Sequence, residues 1–263
     1  MRAAALALAA SLVPFAAAAC DYPAPPPNSG EARAAGPGIT WAGFSDATDR
    51  YPHGALGDAW EPGGLRVAAT LPDGTALGPC EAVVILPETR VFEDLAPRLA
   101  DVTGDGLTDA IVIEADSAKG AQLAVYGIRD GQLAKVAATP FIGRANRWLA
   151  PAAIADFTGD GIDEVAYVET PHIGGTLRLW SFGGAEAREI AAYAGVSNHR
   201  FGALEIVSAL RRCERDETPV LLIPDQQWRA IFALRLEEDR FEGGIIAQEA
   251  DLMTLERYAA CEE

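Results

Sequence analysis

Residues 95–113 read LAPRLADVTGDGLTDAIVI, and residues 149–168 read LAPAAIADFTGDGIDEVAYV. Their acidic centres, DVTGDGLTD (101–109) and DFTGDGIDE (156–164), superpose without a gap at a spacing of 156 − 101 = 55 residues. The residues downstream of each centre match as well: IVIEAD then LAVYGI in the first copy, VAYVET then LRLWSF in the second. These runs are short and rich in β-branched and aromatic residues, and Asp130-Gly131 and Gly183-Gly184 mark hairpin turns between them. Each copy therefore reads strand, loop, strand, turn, strand, turn, strand. One such unit cannot bury both of its faces alone, so the chain must stack neighbouring units to make a core.

A further step of 55 residues from Asp156 reaches Arg211, inside ALRRCERDETPVLLIPD. There the strand-loop-strand outline survives (204–210, then 220–223) without the acidic loop. WRAIFALRLEEDRFEGGIIAQEA supplies two more strands with a turn near Glu238-Asp239. Upstream, LRVAATL and EAVVIL flank a Pro72-Asp73-Gly74 turn and make a plausible further unit. The expected fold class is all-β: a β-propeller-like array of about four four-stranded antiparallel blades, with units near 39–94, 95–148, 149–203 and 204–250 and a tail at 251–263. A linear array or a sandwich of the same meanders is the competing arrangement. Helical periodicity is best over Asp251–Ala260, where Leu252, Leu255, Tyr258 and Ala259 share one side.

Residues 1–19 read as a signal peptide: Met1-Arg2, an apolar run from Ala3 to Val13, a break at Pro14, and small residues before Cys20. The run is too short to span a bilayer, so no transmembrane span is expected, and the protein is expected to be exported to the periplasm or beyond. Two readings of Cys20 stand side by side: plain cleavage before it, or lipidation that would anchor the protein to a membrane. The first lacks nothing; the second lacks the usual Leu at position 17, which is Ala. Residues 20–38 are rich in Pro, Gly and Ala and read as a flexible leader. Four cysteines (Cys20, Cys80, Cys213, Cys261) without a CxxC favour disulfides in an exported chain. Cys213 falls in the segment equivalent to the acidic loops, and a Cys213–Cys261 bridge there is expected to fix the turn and clip the C-terminus. With 21 basic against 38 acidic residues the net charge is −17, which disfavours nucleic-acid partners.

The acidic loops carry the chemistry. Positions 1, 5 and 9 are carboxylates: Asp101, Asp105 and Asp109, then Asp156, Asp160 and Glu164. Position 3 adds the hydroxyl of Thr103 or Thr158. Gly106 or Gly161 at position 6 allows a tight turn that brings in the carbonyl of Leu107 or Ile162. Alternating oxygens at 1, 3, 5, 7 and 9 suit one calcium ion per loop, at about 2.3–2.6 Å. Three carboxylates held so close would repel one another without a counter-ion. An EF-hand is excluded because position 12 is Val112 or Tyr167 and both flanks read as strands. Magnesium is disfavoured by its rigid octahedron. Ordinary acidic turns without metal are the plain alternative.

The pattern Ala-Asp-x-Thr-Gly-Asp-Gly-x-x-Asp/Glu ahead of a hydrophobic strand resembles the FG-GAP or VCBS repeat of integrin α-subunit propellers and exported bacterial proteins. The resemblance is full over 95–204 and in outline elsewhere. It implies two structural Ca²⁺ sites, ligated by Asp101, Thr103, Asp105 and Asp109, and by Asp156, Thr158, Asp160 and Glu164, with the carbonyls of Leu107 and Ile162. Phe201-Gly202 stands where the family's Phe-Gly fits, and Leu-Ala-Pro stands near the place of Gly-Ala-Pro.

No GxSxG, HExxH, P-loop or GxGxxG occurs, so no catalytic residues are assigned. The three histidines (His53, His172, His199) each lie near an expected turn, where an exposed or capping role is the ordinary one. The five tryptophans (41, 60, 148, 180, 228) are read as packing between units, with an exposed aromatic platform as the alternative. Arg144, Asn146, Arg147 and Trp148, and one repeat later Asn198, His199 and Arg200, occupy equivalent connections and form the expected binding rim. The sequence thus points to an exported, calcium-stabilised, non-catalytic scaffold for an unknown protein or glycan partner. The alternatives are an exported hydrolase on the same scaffold and a structural envelope lipoprotein.

Overall fold

The computed structural model describes residues 21–57, 59–214 and 216–262. The expected signal peptide and the cleavage or lipidation point at Cys20 lie outside the described residues. Four antiparallel sheets succeed one another along the chain. The first holds β1 (Glu31–Arg33), β2 (Gly38–Thr48), β3 (Glu61–Thr70) and β4 (Ala76–Ile85). In the second, β5 (Arg90–Phe92) and β6 (Arg98–Ala100) both pair with β7 (Asp109–Asp116), which leads on to β8 (Gly120–Arg129) and β9 (Gln132–Ala138). The third runs β10 (Leu149–Ala155), β11 (Glu164–Glu169), β12 (Thr176–Ser181), β13 (Arg188–Ala194). The fourth runs β14 (Ala209–Arg211), β15 (Val220–Pro224), β16 (Ile231–Glu237), β17 (Arg240–Ala247), and α1 (Leu252–Ala259) comes after it. The expected array of about four four-stranded blades is therefore what forms.

Local chemistry explains the turns. Asp130 (φ 51°) and Gly131 (φ 74°) both take positive φ, the type I′ geometry that joins twisted strands tightly, and β8 and β9 pair directly across them. Two departures come from pairings that are distant in sequence. The leader is not free: Glu31–Arg33 pairs with Trp41–Gly43, and Pro23 and Ala24 accept from the N–H groups of Asp46 and Ala47. Its Pro/Gly-rich composition hides a strand added along β2. The innermost strand of the second sheet is broken into β5 and β6, so that unit begins at residue 90 rather than 95. In the break the buried Asp94 accepts from Ile113 N at 3.0 Å and pairs with Arg98.

Packing proceeds from neighbour to neighbour. One apolar cluster joins the first two sheets through Phe44, Leu65, Val67, Phe92, Val112 and Tyr126. A larger one joins the second, third and fourth through Ile113, Leu123, Trp148, Phe157, Tyr167 and Leu221. Strands β7 and β8, with neighbours on both sides, are buried along nearly their whole length. The two ends of the array are finished differently. On the first sheet the face opposite this cluster carries Trp41, Gly43 and Ser45 paired with Ala68, Arg66 and Gly64, mostly small or polar residues that are buried or half-buried. On the fourth, Val220, Leu222 and Ile231 are covered by Leu255 of α1, with Tyr258 and Ala259 beside it. Asp251 caps that helix by accepting from Thr254 N at 2.8 Å, and a Cys213–Cys261 disulfide ties its far end to the β14–β15 loop. The helix and the bridge both fall where the sequence placed them. Cys80 is also disulfide-bonded.

Candidate functional site

Antiparallel order sends the β6–β7 and β10–β11 loops to one end of their sheets. The β7–β8 and β11–β12 loops and the inter-sheet connections go to the other. The acidic loops occupy the first end. In the first, Asp101 accepts from Gly104 N and Gly106 N, both at 2.8 Å, and Asp105 accepts from Leu107 N at 2.9 Å. Asp109 accepts from Thr103 Oγ1 at 2.9 Å and from its N–H at 3.2 Å. The second loop repeats this scheme. Asp156 accepts from Gly159 N (2.6 Å) and Gly161 N (2.9 Å), Asp160 from Ile162 N (2.9 Å), and Glu164 from Thr158 Oγ1 (3.0 Å). Gly106 (φ 81°) and Gly161 (φ 89°) take the left-handed turn that position 6 requires. The side chain of Ile162 packs on Gly104, so the two loops touch.

The loops differ at position 9. Glu164 has both oxygens engaged, Oε2 accepting from Phe157 N at 2.8 Å. Asp109 is fully buried, and its Oδ1 has no hydrogen-bond partner. Burial pushes the Asp109 carboxyl up to about 6, with Asp105 and Asp101 adding to the rise and Thr103 opposing it. Burial also raises Glu164. In the first loop Asp105 reaches out to Arg129 at 2.9 Å. As they stand, no three His, Cys, Asp or Glu side chains among the described residues are placed to hold one metal ion. The donor set of the first loop, hard oxygens with one buried oxygen left over, fits a hard cation; the second loop has the oxygens but no such orphan. In the fourth sheet the equivalent loop is organised without carboxylate repeats: Asp216 pairs with the side chain of Arg211 at 2.9 Å and accepts from Cys213 N at 3.1 Å.

At the opposite end the structure gathers what the sequence scattered. His53 comes from the β2–β3 loop, His172 from the β11–β12 loop and His199 from the β13–β14 connection. His199 Nε2 lies 2.9 Å from the carbonyl of Ala203 and must donate to it, so its Nδ1 accepts from His172 Nε2 at 2.8 Å. His53 Nδ1 lies 2.5 Å from Glu93, whose side chain is wholly buried. Trp148 donates to the carbonyl of Glu93 at 2.8 Å, stacks on His172 and meets His199 edge-on. Phe201 stands against His53 and His172. The expectation of exposed or capping turn histidines is corrected in part: His199 is 1% exposed because Trp148 and His172 close over it, while His53 and His172 are half-buried. From the expected rim, Arg147, Trp148 and His199 do meet here, while Arg200 lies over Trp228. Sequence reasoning missed Glu93 and also Tyr51, which stands edge-on to His53; neither is in a motif.

Burial, with the neighbouring His199 and His53, pushes His172 down to about 4. The unfolded chain protonates this ring near 6.5 and the folded chain does not, so its contribution to stability is present above about pH 6.5 and is lost as pH falls toward 4. Thermal melts between pH 7 and pH 4.5 should therefore show a steeper acid loss for the native chain than for His172→Phe. Parallel curves would remove this assignment.

The fold and the twin loops define a β-propeller-type repeat protein. Residues 101–167 match the family model for the FG-GAP-like repeat, and over that stretch the chain is similar to that repeat. The match runs from the first acidic loop through the second and into β11. No curated protein gives a significant match.

Proposed function

We propose that the protein is an exported, calcium-stabilised, non-catalytic repeat scaffold that presents a binding face to a protein or glycan partner. The single observation that carries the calcium reading is the buried, unpartnered Oδ1 of Asp109 in a loop rich in hard oxygens. A bound divalent ion supplies positive charge to carboxylates that otherwise repel. Asp101, Thr103, Asp105 and Asp109, with the Leu107 carbonyl, would hold it in the first loop. Asp156, Thr158, Asp160 and Glu164, with the Ile162 carbonyl, would do so in the second. Either loop would thereby lock the turn between its two inner strands. Export is supported by the disulfides and by the targeting segment; no helix among the described residues is long and apolar enough to cross a membrane.

The test is a thermal melt of the mature protein in excess EDTA, with calcium or magnesium then added back. Calcium should raise the melting temperature selectively, by several degrees at concentrations about a hundredfold above the dissociation constant. Asp105→Ala should remove more of that rise than Asp160→Ala, since the orphaned oxygen lies in the first loop. A melting temperature indifferent to calcium would demote both loops to acidic turns.

A further inference from the structure

The histidine end of the array holds a cavity of about 160 Å³ lined by His53, Arg147, Trp148, His172, Ile173 and Phe201. We propose that this cavity is a docking pocket for one aromatic side chain carried on an acidic segment of a partner protein. The proposal rests on the scaffold reading above and names the partner's chemistry.

Size and polarity come first. The wall is almost wholly apolar, and its volume is close to the roughly 150 Å³ of an apolar cavity that accepts benzene. Each lining histidine has one ring nitrogen engaged by a neighbour, His53 Nδ1 by Glu93 and His172 Nε2 by His199. Asn146 and Thr170 also line it, but the wall is mostly apolar, which suits a ring better than a sugar.

The rim comes second. Phe201 is 62% exposed and Ile173 61% exposed, whereas most large apolar side chains in the described residues are buried. Both stand at the mouth of the same cavity. They are held by rigid parts: Gly202 N donates to the carbonyl of Ala55 at 2.9 Å, and Ile173 N donates to the carbonyl of Thr170 at 2.9 Å. An exposed aromatic on a fixed backbone beside a preformed apolar hole is the anatomy of an interface anchor point.

Charge selects the occupant. The chain carries −17 overall, yet the formally charged residue lining this cavity is Arg147. Its guanidinium bonds the carbonyl of Asn146 at 2.8 Å, and among the described residues it forms no ion pair. Arg90, Arg98, Arg129, Arg178 and Arg211 each have a carboxylate, whereas Arg147 shares with Arg144 and Arg200 the absence of one among the described residues. A carboxylate next to the docked ring would give Arg147 the bidentate partner it lacks.

The experiment uses the fact that the chain has only three histidines, all at this site. Imidazole resonances of the mature, histidine-labelled protein are monitored while three blocked tetrapeptides are added: Asp-Glu-Phe-Asp, Asp-Glu-Ala-Asp and Lys-Lys-Phe-Lys. The acidic aromatic peptide should shift His53 and His172 saturably below about 1 mM, and the other two should bind at least tenfold more weakly. Arg147→Ala and, separately, Ile173→Ser should each weaken binding about tenfold in protein whose melt is unchanged. Equal binding of the basic peptide, binding indifferent to Arg147→Ala, or saturation by simple sugars instead would overturn the proposal. So would the absence of any shift. Because the readout is local, a failure here with the calcium-dependent melt intact discards the pocket and leaves the scaffold. A melt that ignores calcium discards the metal and leaves the pocket to be judged on its own titration.

Discussion

Trp148→Ala should lower the stability of the folded chain by about 4 kcal/mol. The indole is 1% exposed and belongs to the cluster that joins the second, third and fourth sheets. Its loss leaves a cavity and leaves the buried carbonyl of Glu93 without its donor. His172 and His199 also lose the ring against which they are set. For a chain of this length the melting temperature should fall by roughly 8–16 °C. Trp148→Phe keeps most of the volume and removes the N–H, so it should cost only about 1–2 kcal/mol. Urea unfolding of both variants checks this. If the alanine variant lost under about 1 kcal/mol, the claim that this residue joins the loops and sheets would be wrong.

Cys213→Ser should rank next, at about 3–4 kcal/mol. The bridge to Cys261 closes a loop of 48 residues, and opening it returns that freedom to the unfolded chain. The loss should have a local signature. Without the clip, α1 is held by Leu255, Tyr258 and Ala259 alone. An eight-residue helix is marginal by itself, so limited proteolysis should cut first within residues 248–262. Cleavage elsewhere, with this segment still protected, would show that the helix does not depend on the bridge. Asp216 and Arg211 should keep the β14–β15 loop closed in either case, since their ion pair does not involve the cysteines.

Much of this architecture was legible because the repeat writes it twice. The loops, the Asp130-Gly131 turn and the C-terminal helix are local events, fixed by residues a few positions apart. The disulfide was legible by comparison: one unit lacks the acids at the place where its neighbours have them, and a cysteine stands there instead. The hidden parts depend on distant pairing. Glu31–Arg33 has no hydrophobic alternation and becomes a strand only because β2 offers an edge. The split between β5 and β6 comes from Asp94 turning inward to Ile113. The histidines are 119 and 27 residues apart, and nothing in their separate surroundings says that Trp148 and Phe201 will collect them. Glu93 was equally silent, since its role is set by a ring 40 residues away.

The unequal burial of the sheets also sets how much change each part of the chain can absorb. Strands β7 and β8 press on sheets to either side, so an added or lost methylene there is felt by three units at once. Strands β4 and β17 lie largely open to water, and the same change there stays where it is made. Sequence drift in relatives of this chain should therefore concentrate on those outer strands, with the second unit changing last.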